Sequence, residues 1–327
     1  MSKPHIVIIS PALANANNGN WQTAWRWSRF LRKDYRITLA KQWDGSPCDA
    51  LIALHARRSA SSIAAFSAAY PTLPLIVVLT GTDLYKEIST NLDAQRSLQL
   101  ASQLVVLQAA GLKQLDKNLR DKTQVIYQSA RALKPVNIHT IQAHRFFDVT
   151  MIGHMRDEKD PATFMRAAEL LKSPKIRMIH IGSALEPDLG KLARKTQQNF
   201  PRYHTLGNLS HTATRQRLKR SHLMVLTSKM EGGANVIIEA ITSGVPIVAS
   251  DISGNHGMLG ENYAGYFSVG DSIKLAQLIE RAATNTKFYR RLQTQCTARA
   301  PLFSPERERA ALLKLINQCI TQKQRRS

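Results

Sequence analysis

Leu223-Met-Val-Leu226-Thr-Ser-Lys-Met-Glu231-Gly-Gly-Ala-Asn235-Val-Ile-Ile-Glu239-Ala-Ile-Thr-Ser-Gly244-Val-Pro246-Ile-Val-Ala249 contains a strand, a tight loop, a helix and a second strand in 27 residues. Leu223–Leu226 is short and wholly apolar, as a strand buried on both faces must be. Gly232 and Gly233 let backbone N–H groups come close to an anion where the helix begins. Glu231 lies in the loop and Glu239 about a turn into the helix, so both can face one ligand from different heights. A carboxylate accepting from sugar hydroxyls is a natural use of each. Capping by Glu231 and a solvated helix face for Glu239 is the plainer alternative. Ile237, Ile238, Ala240 and Ile241 around Glu239 are unusual company for a purely solvated charge.

Outward from this stretch the same rhythm repeats. In the first half, short β-branched runs at His5–Ile9, Tyr35–Ala40, Ala50–Leu54, Leu75–Leu79, Gln103–Leu107 and Gln124–Tyr127 alternate with helical segments at Trp21–Lys33, Ser59–Ala69, Leu92–Ala101 and Gly111–Asn118. The series restarts at Val149–Ile152 and runs through Arg177–Ile181, Arg202–Leu206, Leu223–Leu226, Pro246–Ala249 and Gly265–Phe267. Strands alternating with helices mean βαβ units and parallel sheets. The expected organisation is α/β, with two doubly wound, Rossmann-like domains at 1–145 and 146–303 facing an inter-domain cleft, and a last helix in 304–327 packing back on the first. A linker is expected around Lys134–Arg145.

Composition narrows the function classes. With 45 Lys+Arg against 23 Asp+Glu, the net charge is +22, spread over both halves, which calls for anionic ligands. Aromatic residues are only 6%, and no RNA- or DNA-binding motif accompanies the charge, so nucleic acid is not the expected partner. No apolar run approaches the roughly 20 residues of a membrane span, and Ile6–Ile9 is too short for a signal-peptide core. Cys48, Cys296 and Cys319 are widely spaced, which suggests neither a disulfide framework nor a metal knuckle. A cytoplasmic protein without stable membrane association is expected; monomer and homodimer both stay open.

In doubly wound sheets, ligands sit beyond the carboxyl ends of the strands, so the site's chemistry is expected in the loops there. After Val149–Ile152 come Gly153, His154, Arg156 and Lys159, suited to a diphosphate, with Lys159 as a point charge and Arg156 as a fork. The acidic residues among them, Asp157, Glu158 and Asp160, form no Asp-x-Asp pair, and no metal is expected. After the first strand, Asn17-Asn18-Gly19-Asn20 supplies amide donors and residues tolerant of a left-handed backbone. Thr80, Gly81 and Thr82 offer hydroxyls and an amide to an anion, and Asp83 is placed to position or deprotonate an acceptor. Arg57 and Arg58 add two cations near that edge; ordinary solvated surface explains them equally well. Ile252–Gly260, rich in glycine, reads as a loop able to cover a sugar phosphate.

Glu231-x7-Glu239, followed by Ser243-Gly-x-Pro246-Ile-Val-Ala-Ser250, resembles the signature of retaining, family-4-like glycosyltransferases with the GT-B fold. The resemblance implies that Glu239 accepts from the nucleotide ribose, while Glu231 and the amides of Gly232, Gly233, Ala234 and Asn235 hold the sugar and distal phosphate. It also implies a cation pair on the diphosphate, stabilising its departure without a metal or other cofactor. Lys159 stands at one of the two positions. At the other the family's arginine is His154 here, and His154 and Arg156 both remain candidates for its part.

A closer resemblance runs over nearly the whole chain. Pro11-Ala-Leu-Ala-x-Ala-Asn-Asn-Gly-Asn-Trp-Gln-Thr-Ala24, Ile52-Ala-Leu-His-Ala-Arg-Arg-Ser-Ala60, Thr80-Gly-Thr-Asp-Leu-Tyr85, Gly153-His-x-Arg-Asp-Glu-Lys-Asp-Pro161 and Met230-Glu-Gly-Gly-Ala-Asn-Val236 are similar to the selenosugar synthase family of bacterial selenoneine biosynthesis. That family joins selenophosphate to UDP-N-acetylglucosamine or UDP-glucose, forming a carbon–selenium bond and releasing UDP and phosphate. The implied assignment makes Arg156, Lys159, Glu231 and Asp83 catalytic. UDP-sugar contacts fall on Asn18, Gly19, Asn20, His154, Arg156, Lys159, Glu231, Gly232, Gly233, Ala234, Asn235 and Glu239. Asn20, Arg57, Arg58, Thr80, Gly81, Thr82 and Asp83 would hold selenophosphate. Two other readings stay in view: a hexosyltransferase acting on a glycan or lipid acceptor, in which the Trp- and Arg-rich Trp21–Lys33 helix matters, and a basic nucleic-acid-binding protein. The tryptophans of that helix are otherwise expected in the core.

Overall fold

The computed structural model describes residues 3–12, 19–134 and 145–324. The chain divides into two compact units: Met1–Ser129 with Gly232–Ala234 and Phe303–Ser327, and Ala130–Glu231 with Asn235–Leu302.

In the first unit, six parallel strands, β1 (His5–Ile9), β2 (Arg36–Ala40), β3 (Ala50–Leu54), β4 (Leu75–Leu79), β5 (Gln103–Val106) and β6 (Thr123–Val125), lie in the order β2-β1-β3-β4-β5-β6. Alternation along the strands builds two cores. Val7, Ile9, Leu51, Ala53, Val77 and Leu79 meet Phe66 and Leu98 of helices Ala60–Ala69 and Leu92–Leu100. Ile6, Ile8, Ile52, Leu54, Ile76 and Val78 meet Trp27 and Leu31 of helix Gly19–Leu31, and Leu312, Leu315 and Ile316 of helix Pro305–Gln324. Both faces of the central strands β1, β3, β4 and β5 are covered, which is why these read as nearly unbroken apolar runs, whereas the edge strands β2 and β6 are more exposed and more polar. Helix Pro305–Gln324 is also fixed by charge: buried Glu308 accepts from Arg26 Nε at 2.8 Å, Trp27 Nε1 at 2.7 Å and Ser129 Oγ at 2.5 Å.

The second unit carries β7 (Phe147–Ile152), β8 (Ile176–Ile181), β9 (Tyr203–Thr205), β10 (Leu223–Leu226), β11 (Ile247–Ser250) and β12 (Tyr266–Phe267), all parallel, in the order β12-β11-β10-β7-β8-β9. Its helices are Pro161–Leu170, Pro187–Asn199, His211–Lys219, Asn235–Ile241, Ser253–Leu259, Ser272–Thr284 and Thr286–Arg299. Each sheet therefore has one point where strand order reverses, between β1 and β3 in the first and between β7 and β10 in the second. A crevice opens at such points.

Three expectations need correcting. Gly111–Asn118 is a 3-10 turn, Ala109–Gln114, and then a single α-turn, Lys117–Arg120. Gly111 wedges against Leu84 and Val106, where a Cβ would lie 3.1 Å from each. Ile252–Gly260 is a helix, Ser253–Leu259, because Met258 and Leu259 find apolar cover and Asn255 Nδ2 donates to the Ser250 carbonyl at 2.9 Å. Of the helix tryptophans only Trp27 is core; Trp25 is 43% exposed and stacks on Trp21 with centroids 5.6 Å apart. No helix among the described residues is long and apolar enough to cross a membrane.

Candidate active site

In the second unit the loops after β7 and β10, at the switch point, bring together residues 72 positions apart. Lys159 Nζ lies 2.5 Å from Glu231 Oε1, which also accepts from Ser228 Oγ at 2.6 Å. Lys159 is itself placed by its backbone: Thr227 Oγ1, just past β10, donates to the Lys159 carbonyl at 2.7 Å. Asp160 follows in a left-handed conformation (φ 43°) and caps helix Pro161–Leu170, accepting from the Thr163 hydroxyl at 2.6 Å. Lys229 N–H donates to the Glu158 carbonyl at 2.9 Å, a second tie between the two loops. Glu231 is pinned from behind, since a Cβ on Gly254 would fall 2.0 Å from the Glu231 carbonyl oxygen. The lysine and carboxylate therefore form one rigid, mutually neutralised pair.

The start of the β7 loop rests on a buried imidazole. His180 on β8 donates from Nε2 to the Gly153 carbonyl at 3.0 Å, and its Nδ1 lies 3.3 Å from the Tyr203 hydroxyl, which donates to it. Burial pushes His180 down to about 4, so it stays neutral and able to make both bonds. His154 Nδ1 accepts from the Ser183 amide at 3.0 Å, which leaves Nε2 as the protonated nitrogen of the neutral ring. Burial lowers its pKa, with Arg156 and Lys159 acting in the same direction. Arg156 points outward, its side chain 4.0 Å from Glu158. The structure thus joins Lys159 to Glu231 but keeps Arg156 apart from that pair.

Glu239 is only 8% exposed, and its Oε1 accepts from His211 Nε2 at 2.7 Å. Burial lowers the pKa of Arg215, one turn beyond His211, and the Glu239 charge opposes that lowering.

The first unit has its own constellation at the β1/β3 switch. His55, directly after β3, is 2% exposed and held in a left-handed conformation (φ 73°), uncommon for any residue but glycine. Its Nε2 lies 3.1 Å from Thr82 Oγ1, and its Nδ1 is 4.0 and 3.8 Å from the Asp83 and Glu87 carboxylates. Burial lowers the His55 pKa despite those two charges. Arg57 Nε pairs with Glu87 at 3.0 Å, while Arg58 is exposed.

Asp83 does not do what the sequence suggested. It is fully buried and accepts from the amides of Ala56 at 3.0 Å, Thr80 at 2.9 Å and Gly81 at 2.8 Å. Such a carboxylate ties together the loops after β3 and β4 and has no free face for an acceptor's proton. The glycines of the signature are likewise used for packing. Gly232–Ala234 groups with the first unit, where a Cβ on Gly232 would fall 2.3 Å from the Thr80 carbonyl oxygen and one on Gly233 2.7 Å from Leu107 Cβ. Gly19 and Asn20 open helix Gly19–Leu31, and Asn18 lies outside the described residues. His55, His180 and His211 were given no role by the sequence, and Gly254 only that of a covering loop. Only His55 had a local signal there, as a polar residue ending a wholly apolar strand.

Residues 138–299 match the family described as Glycosyl transferases group 1. No curated protein matches the chain. Among solved structures, Anabaena Alr3699/HepE in complex with UDP-glucose is similar with a TM-score of 0.79 at 17% identity, over 96% of this chain and 100% of that one. Sucrose-phosphate synthase from Thermosynechococcus elongatus follows at 0.77 and 14%, over 98% and 100%. The pneumococcal O-GlcNAc transferase GtfA in complex with UDP and GlcNAc gives 0.67 and 16%, over 83% of this chain and 57% of that one. These likenesses establish the GT-B fold, and residues 138–299 carry the likeness to group 1 glycosyltransferases.

Proposed function

We propose that this protein is a selenosugar synthase. It would take UDP-N-acetylglucosamine or UDP-glucose as donor and selenophosphate as acceptor. Selenium attacks the anomeric carbon as the bond to the UDP oxygen breaks; water then attacks phosphorus, releasing phosphate and leaving the selenol form of the sugar. The observation that carries the donor half is the Lys159–Glu231 pair at the second switch point with Glu239 nearby in the sequence signature. Lys159 exchanges Glu231 for the diphosphate, and Arg156, exposed and unburdened by burial, swings onto the same charge. Glu231 is released to the sugar hydroxyls, and His154 Nε2–H donates to a phosphate oxygen. The Gly232–Asn235 amides and Gly19–Asn20 complete the donor contacts. No metal or other cofactor enters this proposal, because cations meet the leaving charge. Two similar structures hold UDP-glucose, or UDP with GlcNAc, which supports a UDP-sugar donor here.

The acceptor half rests on the sequence phrases of the first unit. Arg57, Arg58 and Thr80–Thr82 offer cations, hydroxyls and an amide to a small, multiply charged anion, with Asp83 fixing the loop. A selenium nucleophile is already ionised near neutral pH and needs placing more than a general base. The cytoplasm is the proposed location. A lipid- or glycan-directed hexosyltransferase is favoured by one feature only, the stacked Trp21–Trp25 pair with Trp25 exposed.

Mass spectrometry of purified protein given selenophosphate and UDP-N-acetylglucosamine separates the readings. The expected product shows the selenium isotope pattern at the mass of the selenosugar, and E239A loses it. UDP release without a selenium adduct would move the acceptor elsewhere, and silence with every common UDP-sugar would remove the donor assignment too.

A further inference from the structure

Glu239 lies on the seven-residue helix Asn235–Ile241 among Ile237, Ile238, Ala240 and Ile241, all buried. A carboxylate in such surroundings needs a donor to hold its orientation. Among the described residues, the hydrogen bond its side chain makes is the one from His211 Nε2 to Oε1 at 2.7 Å. Oε2 takes no protein donor there.

His211 is itself held in place. It is the first residue of helix His211–Lys219, whose cap Ser210 accepts from the Ala213 amide at 3.2 Å. Four residues on, and so on the same side of the helix, Arg215 is buried and bolts the helix down. Its guanidinium donates to the Arg131 carbonyl at 2.9 Å, Thr242 Oγ1 at 3.1 Å and Ser243 Oγ at 3.2 Å. Thr242 and Ser243 directly follow the Glu239 helix. The arginine therefore fixes the distance between the two helices, and the histidine uses that distance to orient the carboxylate.

We infer that His211 is a positioning residue for nucleotide recognition: by occupying Oε1 it locks the Glu239 carboxylate plane so that Oε2 and the remaining lone pair of Oε1 meet the ribose hydroxyls of a nucleoside diphosphate. The inference rests on the donor reading above. It places the hydroxyl specificity in a pair of residues 28 positions apart rather than in Glu239 alone.

Calorimetric binding of UDP, 2′-deoxy-UDP and 3′-deoxy-UDP to wild-type protein, H211A and H211Q tests it. Wild-type protein is expected to prefer UDP over at least one deoxy analogue by about tenfold, the scale of one good hydrogen bond to a charged group. H211A should weaken UDP binding about five- to tenfold and the discriminated analogue less than twofold, collapsing the preference. H211Q, which keeps an N–H donor of similar reach, should restore much of it. Equal weakening of all three nucleotides in H211A would show a merely structural role and overturn the inference, as would unchanged UDP affinity or a wild-type protein indifferent to both hydroxyls. If wild-type protein binds no UDP at all, the donor reading itself falls, and the inference with it. His211 is well exposed and its cap is Ser210, so H211A keeps the helix; the thermal midpoint of each variant checks this.

Discussion

Lys159 and Glu231 show how a site residue is built from chemistry that is local and a contact that is not. A lysine behind a strand-terminal glycine and a glutamate before a double glycine are visible along the chain. Their 2.5 Å contact needs the two loops to share one switch point. Each charge would be costly in that half-buried position without the other. K159M should lower kcat/KM for the UDP-sugar about 10²–10³-fold, the range for losing one transition-state charge partner. It should also lower the thermal midpoint, because Glu231 is left with Ser228 alone. K159M/E231Q should recover most of that stability and none of the activity, read by steady-state kinetics alongside thermal unfolding. Recovery of activity in the double variant would remove Lys159 from the chemistry. Asp83 gives the opposite lesson: its loop position suggested an acceptor base, but three amides from two loops had already claimed the carboxylate.

At the scale of elements, strands β7 and β8 make the loop after β7 stiff. Gly182 packs so tightly that a Cβ there would fall 2.0 Å from the Gly153 carbonyl oxygen, which also accepts from His180. Because folding lowers the His180 pKa to about 4, the unfolded chain takes up a proton that the folded state refuses. Its contribution to stability is present in full above pH ~6.5 and is lost as pH falls from there towards 4, up to about 3 kcal/mol. H180Q keeps a donor for Gly153 but cannot titrate. Between pH 6.5 and 4, its thermal midpoint should therefore fall less steeply than the wild-type one; parallel slopes would mean that other histidines carry the effect. The central strands were legible because both their faces are buried and their apolar runs are nearly unbroken. Helix Ser253–Leu259 was not, since its glycines signal a loop unless Glu231 lies against Gly254.

For the molecule as a whole, the dominant quantity is charge. A net +22 is an excess that ion pairing within the chain cannot cancel, and it suits the anionic substrates proposed above. Raising NaCl from 50 to 500 mM shrinks the screening length to a few ångströms, and kcat/KM for the UDP-sugar should drop about fivefold or more. The thermal midpoint should not fall, because salt screens the self-repulsion of a +22 chain while its apolar cores are unaffected. A salt-independent kcat/KM would mean that the excess charge serves something other than substrate capture. Two parallel sheets, each with its own switch point, were predictable from the alternation of short apolar runs with helices. The grouping of Gly232–Ala234 with Met1–Ser129 was not, as nothing in their composition marks them off.

By itself the sequence determined what repeats or clusters along the chain: the α/β class, the two strand series, the Glu231-x7-Glu239 signature and the cations after β7. Periodicity and short-range spacing record these because each depends only on neighbours within a turn or a strand. Tertiary structure alone decided which charges meet and which are consumed. Lys159 paired with Glu231, His211 with Glu239, His180 under Gly153 and Asp83 between two loops all join residues that the fold brings together from separate crossovers, apart from the short Thr80–Asp83 link. Hydrogen-bond geometry and burial are properties of those meetings, and no spacing along the chain encodes them.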